Sequence, residues 1–401
     1  MGFFVLLEGE TSNEITNIDR NSRSFPMKSI NSKLHELTHF INELCEKQHT
    51  VGISVSITYE NEIIYAEGFG YSQLGSTPKK ITPDTIMSIQ SISKNFMATS
   101  IMQAREQGLI YLETPVVDYL PYFRTKDKKM SDRITVRQLL SHTAGFPPDL
   151  GIANLIAPNV REIYSDYPTE FQEALDYYGL TEEVLAGIRS REDITKWFST
   201  VPLSYTPGTS WDYCTDAFVI ACDLFEKVSG QSWESHLEKY VLGPLKMSRT
   251  TCNHERVESD GNHAQYYLND EKLLTPYPKN PISAPIGFLY STSNDLARYA
   301  AAHMSQSAIL NTESLQIMQT AVQRVTEEWR KGSEVRSYGL AWFVDTYKGF
   351  DVIEHGGGQL AVRSLVAMIP SKKLGVAVLL NFNSDVHHTI SRKVFDIVLE
   401  L

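Results

Sequence analysis

The sequence is poor in cysteine, in excess basic charge and in long apolar runs, and each shortage closes off a class of protein. Four cysteines, Cys45, Cys214, Cys222 and Cys252, are spread over 401 residues. They are too few and too scattered for a disulfide framework or a zinc knuckle. Cys214 and Cys222 stand eight apart, which suits neither Cys-x-x-Cys redox chemistry nor metal ligation, so no metal is expected. Such usage favours a reducing compartment, and a cytoplasmic location is the expectation. Lys and Arg number 37 against 48 Asp and Glu, a formal net charge of -11. With no long basic run to override that balance, neither nucleic acid nor an anionic membrane surface is an expected partner. The opening MGFFVLLEGE carries an apolar hexad without a basic stretch or a small-residue cleavage pattern, and no later segment has the apolar length to span a bilayer. Internal repeats and low-complexity tracts are absent as well.

What is present describes an ordinary globular chain: 42% hydrophobic and 21% charged residues, with length for one large core or two intimately joined domains. Residues 1–28 are polar and irregular and read as an extended arm. Leu34, Leu37, Ile41 and Leu44 then recur at helical spacing, with Ser29 and Asn31 as candidate caps. GISVSITYENEIIYAEGFGY (52–71) alternates on both sides of Glu60-Asn61, which predicts a β-hairpin. A nearly all-apolar helix is expected from Ser91 to Gly108, and another over 217–230, closed by Gly230. Residues 149–200 mix Tyr164, Tyr167, Phe171, Tyr177 and Tyr178 with many acids. So many aromatics argue against disorder, and the segment reads as a lid insertion. Near the C-terminus SYGLAWFVD, FDVIEH, RSLVAMIP and LGVAVLLNF read as four strands, followed by a helix opened by Ser384. Strands at both ends and helices between predict an α/β (α+β) fold. One antiparallel sheet would be assembled from residues 29–90 and 280–401, with a mainly helical region, 91–279, inserted between them.

Within that frame, SIQSISKNFMATS (88–100) places Ser91 and Lys94 three residues apart at a helix start. Serine is a weak nucleophile until a neighbouring base takes its proton. A spacing of three puts both side chains on one helix face, about 5–6 Å apart at Cβ. Burial favours the neutral amine, so a desolvated lysine serves as that base near neutral pH. The bland alternative is a capped helix with a solvated lysine, and a second match, Ser76-Thr77-Pro78-Lys79, shows how short the pattern is. That copy contains a proline among turn residues and is discounted. Two downstream elements could complete a site: Tyr213 in PGTSWDYCTDAF, and His355, followed by Gly356, Gly357 and Gly358. A glycine run at a strand edge lets backbone approach a ligand closely. Singly, Tyr213 reads equally well as a core tyrosine and the glycines as a flexible turn.

In their order, these elements resemble the serine β-lactamase and penicillin-binding-protein superfamily, in particular its class C β-lactamase, family VIII esterase and D-aminopeptidase branch. They match as Ser91-Ile92-Ser93-Lys94, Tyr213-Cys214-Thr215 and His355-Gly356-Gly357, framed by LLSHTAGF (139–146), VLGPLKM (241–247) and GFLYSTSNDLARY (287–299). The resemblance covers roughly residues 35–385 and implies a β-lactamase/transpeptidase-like fold and acyl transfer without cofactor. It implies that Ser91 is the acylated nucleophile, Lys94 its base and Tyr213 the acid or base serving the leaving group. His355 would stand in the place of the third motif's lysine, holding the local electrostatics and binding substrate. The backbone N–H groups of Ser91 and Gly358 would form the oxyanion hole, with Thr215, Gly356 and Gly357 contacting substrate.

One departure is Thr215, where the family usually has asparagine. With the histidine of the third motif, it shifts the expectation from β-lactams towards a small ester or amide. Water as acceptor would make an esterase or D-peptidase, and another acceptor a transacylase. A weak β-lactamase and a non-catalytic relative kept for binding or assembly are the alternatives. A metallo-hydrolase using His387 and His388 fails because adjacent helical residues diverge, and that pair is expected to be exposed. His142, Trp211 and residues 291–295 read as structural.

Overall fold

The computed structural model describes residues 24–148, 152–157, 160, 168–268, 273 and 279–400. Helix α1 spans Ser24–Gln48 and leads into β1, Gly52–Tyr59, and β2, Glu62–Gln73. Glu60 and Asn61 join the two strands with φ of 49° and 71°, the left-handed pair that a tight hairpin turn needs. Lys79–Lys80 forms a short edge strand, β3, while β4 (Met87–Ser88) pairs separately with β5 (Tyr290–Ser291). The C-terminal third supplies β6 (Gln323–Arg324), β7 (Ser337–Tyr338), β8 (Phe343–Tyr347), β9 (Phe350–Gln359), β10 (Val362–Ile369) and β11 (Leu374–Leu380). Nine of these strands form one sheet in the order β3-β2-β1-β11-β10-β9-β8-β7-β6. Its seam is the antiparallel β1–β11 pair, with Ile53 opposite Leu380, so the two ends of the chain meet in the middle of the sheet.

Alternation along the strands assigns each residue to a layer. Ile53, Val55 and Ile57 of β1, Leu365 and Ala367 of β10, and Val376 and Val378 of β11 pack with Leu34, Leu37 and Ile41 of α1. The C-terminal helix, Val386–Leu399, covers the same face through Ile390, Val394 and Phe395. The residues between, Val366, Met368, Ala377 and Leu379, belong to the larger core on the opposite face. There the helix Ser293–Met304 lies across β1 and β11. Its Ser293 Oγ is 2.8 Å from the hydroxyls of both Ser54 and Ser56, which explains two buried serines in an otherwise apolar strand.

The inserted region is helical, as its sequence pattern implies. Helix α2, Ser93–Glu106, buries twelve consecutive residues from Ser93 to Ala104. The helix Ala217–Ser229 packs beside it and ends on Gly230 at φ 68°. Over residues 149–200 the described part contains helices Pro168–Tyr178, Glu182–Gly187 and Arg191–Trp197. Tyr164 and Tyr167 lie outside the described residues, as do positions 1–23 of the expected arm. Ser24 to Lys28, read as part of that arm, are the first residues of α1 instead. The C-terminal helix begins at Val386, with Ser384 Oγ accepting the Val386 N–H at 3.4 Å.

Candidate active site

Ser91 sits in a 3₁₀ turn, Gln90–Ile92, directly before α2. Gln90 has a φ of 50°, a conformation that non-glycine residues avoid and that recurs at functional sites. The turn leaves Ser91 half-buried at the floor of a cleft of about 520 Å³, while Lys94, one helical turn on, is completely buried. Lys94 Nζ lies 2.9 Å from Ser91 Oγ and donates to the Ile286 carbonyl at 2.8 Å. Ser93 points elsewhere: its hydroxyl donates to Gln90 O and accepts from the Leu289 N–H, fastening the turn. The other Ser-x-x-Lys, residues 76–79, is solvent-exposed throughout.

Tyr213 forms one wall of the cleft, with Lys94 Nζ 5.1 Å from its ring centroid. Its ring is clamped between Trp329, stacked at 4.8 Å, and His142, at 4.2 Å. His142 also holds the loop that carries the tyrosine. Its Nδ1 accepts the Cys214 N–H, and its carbonyl accepts the Asp212 N–H and the Tyr205 hydroxyl. Burial and the nearby Lys94 depress the His142 pKa far below its usual value, so this ring is neutral and its proton is on Nε2. Thr215 is half-buried and lines the cleft beside Tyr213.

Strand β9 forms the opposite wall. Its pairing with β8 ends at Glu354 opposite Phe343, whereas its pairing with β10 continues to Gln359. Among the described residues, 355–359 therefore have no strand partner on the β8 side, and His355, Gly356, Gly357 and Gly358 all line the cleft. A Cβ on Gly357 would fall 2.2 Å from Ile89 O and 2.8 Å from Gln90 Cβ, so only glycine lets the strand lie this close to the turn bearing Ser91. The residues read as candidates from the sequence, from Ser91 to Gly358, are thus brought around one cleft.

His355 has surroundings that the sequence did not reveal. The ring is buried, its Nδ1 donates to Gly356 O at 2.7 Å, and its Nε2 accepts the Tyr338 hydroxyl at 3.0 Å. Burial, reinforced by Lys94, lowers its pKa to about 3. Both nitrogens are committed and the ring is neutral, unlike the lysine it replaces in the resembling motif. Tyr338, buried on β7, keeps its proton because burial raises its pKa well above the usual value. Read only as part of a strand, it reaches His355 through cross-strand register, Tyr338 opposite Phe343 and Phe343 opposite Glu354.

The rest of the rim also departs from expectation. His387 is buried, His388 is half-buried, and both line the cleft rather than facing solvent. Lys331 donates to His388 Nε2 at 3.2 Å. Among the described residues no cluster of side chains could hold a metal ion, and no helix is long and apolar enough to cross a membrane.

Comparison with known proteins places the chain in a family. The chain is 20% identical over 357 residues to Protein flp of Staphylococcus aureus (strain MW2), covering 88% of this chain and 64% of that protein. It is 24% identical over 379 residues to Unguisins hydrolase ungD' of Aspergillus campestris, covering 89% and 65% respectively. It thus spans less than two-thirds of the length of these curated relatives. Among solved structures, the octameric penicillin-binding protein homologue from Pyrococcus abyssi superposes with a TM-score of 0.76 at 26% identity. That superposition covers 92% of this chain and 77% of the other. The Beta-lactamase family model matches residues 37–398, almost the whole described sheet and helical region, and the chain belongs to that family.

Proposed function

We propose that the protein is a serine hydrolase or acyltransferase that cleaves an ester or amide through a covalent acyl-Ser91 intermediate. The observation that carries this reading is the Lys94 amine, wholly buried and 2.9 Å from the Ser91 hydroxyl at the floor of the cleft. In this reading the neutral Lys94 amine takes the Ser91 proton as Oγ attacks the substrate carbonyl. The backbone N–H groups of Ser91 and Gly358 receive the developing oxyanion, and losing one such donor costs about 2.7–4 kcal/mol of transition-state stabilisation. Tyr213 then passes a proton to the leaving group and assists the water or second acceptor that releases the acyl group. His355, neutral and bonded on both sides, orients the glycine edge instead of supplying charge. A relative named as a hydrolase supports the assignment. The open cleft suits an ester or small amide, and Thr215 argues against efficient β-lactam turnover.

Labelling with a fluorophosphonate or a penicillin, followed by intact-mass measurement, tests the reading. A single adduct that disappears in Ser91→Ala is expected. No adduct on the wild type, or one that persists in the variant, overturns the acyl-Ser91 reading. Turnover of p-nitrophenyl esters, D-aminoacyl amides and nitrocefin by wild type and Thr215→Asn then tests substrate choice. A gain of nitrocefin hydrolysis only in the asparagine variant is expected.

A further inference from the structure

A second cavity shares a wall with the catalytic cleft. It has a volume of about 760 Å³ and is lined by Leu237, Leu242, Phe288 and Tyr290, all buried, and by the segment from Thr250 to Glu258. Ile286 and Gly287 line the catalytic cleft, whereas Phe288 and Tyr290 line the second cavity, so one short stretch of chain separates the two. Protein interiors are close-packed. An opening of this size, with apolar walls and a few convergent polar groups, has the composition of a ligand site.

The polar end of the cavity fixes the kind of molecule it suits. The Tyr290 hydroxyl is 2.8 Å from His254 Nδ1, His254 Nε2 is 3.1 Å from Glu258 Oε1, and Lys279 Nζ donates to the same oxygen at 2.8 Å. Both neighbours reach Oε1, which leaves Oε2 to receive a ligand donor. Burial, reinforced by Lys279, lowers the His254 pKa, so this ring is neutral. Glu258 is balanced by Lys279, and Glu234 by Arg191. Of the remaining charges in the lining, Glu238 and Glu255 outnumber Arg256. An anion is disfavoured there, and a neutral molecule with a hydroxyl fits the paired charges.

The shared wall also holds the reactive residues. The Ile286 carbonyl accepts the Lys94 amine at 2.8 Å. Leu289 donates its N–H to Ser93 Oγ at 3.2 Å, and its carbonyl accepts the Ile89 N–H at 3.1 Å. On the cavity side, Tyr290 exchanges both backbone hydrogen bonds with Thr251, at 2.8 and 2.9 Å. Residues 286–290 are thus bonded to the Ser91 turn and to Lys94 on one side and to the cavity lining on the other.

We infer that this cavity is an effector site for a neutral aromatic alcohol. The ring packs among Leu237, Leu242 and Phe288, the hydroxyl donates to Glu258 Oε2, and binding alters acylation of Ser91 through residues 286–290. The effect on acylation rests on the acyl-Ser91 reading; the binding site rests on its own lining.

The test uses 2-phenylethanol as probe and phenylacetate as its anionic counterpart. A ligand-observed NMR titration of the wild type should give a Kd of about 1 mM or tighter for the alcohol and binding about tenfold weaker for the acid. Cys252→Trp, which places an indole in the cavity from a half-buried position, should abolish binding. Glu258→Gln alters an exposed side chain and leaves the apolar lining in place; it should weaken binding about fivefold or more. With the probe at about five times its Kd, deuterium exchange over residues 286–291 should slow about sixfold. The rate of fluorophosphonate labelling at Ser91 should change by about fivefold or more. A probe seated in the catalytic cleft keeps its affinity in both variants, and that outcome overturns the inference. So does the absence of binding, unchanged exchange over 286–291, or a labelling rate that is the same with and without the probe. If Ser91 is not labelled at all, the acyl-Ser91 reading falls, while the titration and the exchange still decide whether the cavity binds the alcohol and acts on the shared wall.

Discussion

The chain contains the same four-residue pattern twice, at Ser91–Lys94 and at Ser76–Lys79, with opposite physical outcomes. Lys94 is completely buried beneath the cleft, held between Ser91 Oγ and the Ile286 carbonyl. Lys79 is exposed on an edge strand, where its ammonium reaches the Gly261 carbonyl at 3.4 Å. The first pattern opens a helix whose next ten residues are core, so its side chains are pinned. The second contains Pro78 in a surface turn and its serine and lysine share no helix face. Spacing supplies proximity only once a helix is formed, and chemistry requires the desolvation that follows from packing.

The largest expected contrast is between Ser91→Ala and Ser76→Ala. The first should abolish covalent labelling and reduce ester turnover by about a thousandfold or more, while the second should label as the wild type does. Equal labelling by both variants, read by intact mass, would erase the distinction. Lys94→Met should lower acylation by a comparable factor while leaving the protein about as stable, because a completely buried amine is replaced by an apolar chain of similar length. Lys79→Met should change stability by no more than about 0.5 kcal/mol. A urea titration and a single-turnover assay on each variant decide this, and a Lys94→Met protein that acylates normally would remove lysine from the mechanism.

Acid should affect the two regions differently as well. Burial lowers the pKa of His303, His355 and His387 from 6.5 to about 3. A histidine with a depressed folded-state pKa stabilises fully above its unfolded value, and that stability is lost as pH falls from 6.5 towards 3. Glu354, at about 2 rather than 4.5, loses its contribution in the same direction between those values. Each fully coupled group changes stability by about 1.4 kcal/mol per pH unit inside its window. The urea midpoint should therefore fall continuously from pH 6.5 down to 3, and a flat profile would show that these rings are not held neutral. Among substitutions at the cleft, the smallest effect is expected from Tyr338→Phe. It leaves His355 Nε2 buried without a donor, at a cost of about 1–3 kcal/mol. It should lower kcat more than it raises KM, by loosening the glycine edge. An unchanged melting temperature and kcat would assign the Tyr338–His355 bond no role.

Much of the architecture was legible because it is written in short-range pattern. Alternation on both sides of Glu60-Asn61 identified the β1–β2 hairpin, and Gly230 marked the end of its helix, since each follows from local backbone preference. Three of the four C-terminal strands and the closing helix were legible for the same reason, but SYGLAWFVD, expected as one strand, is two, Ser337–Tyr338 and Phe343–Tyr347, which turn back on each other around Ala341 at φ 60°. The His387–His388 pair was misread as exposed: helical phase alone does not reveal that the cleft rim closes over one side of that helix. Tyr338 and Arg363 gave no signal either, because their positions beside His355 and Gly358 depend on register between β7, β8, β9 and β10, which no local pattern specifies.

By itself, the sequence determined the elements, the antiparallel sheet shared by both ends of the chain and the candidate set Ser91, Lys94, Tyr213 and His355. Each of these follows from periodicity, turn chemistry or ordered motifs. Tertiary structure alone decided which Ser-x-x-Lys is desolvated, that His355 is neutral with both nitrogens bonded, and that Arg363 lies beside Gly358. Those are properties of burial and cross-strand neighbours, and a residue acquires both only when distant segments pack against it.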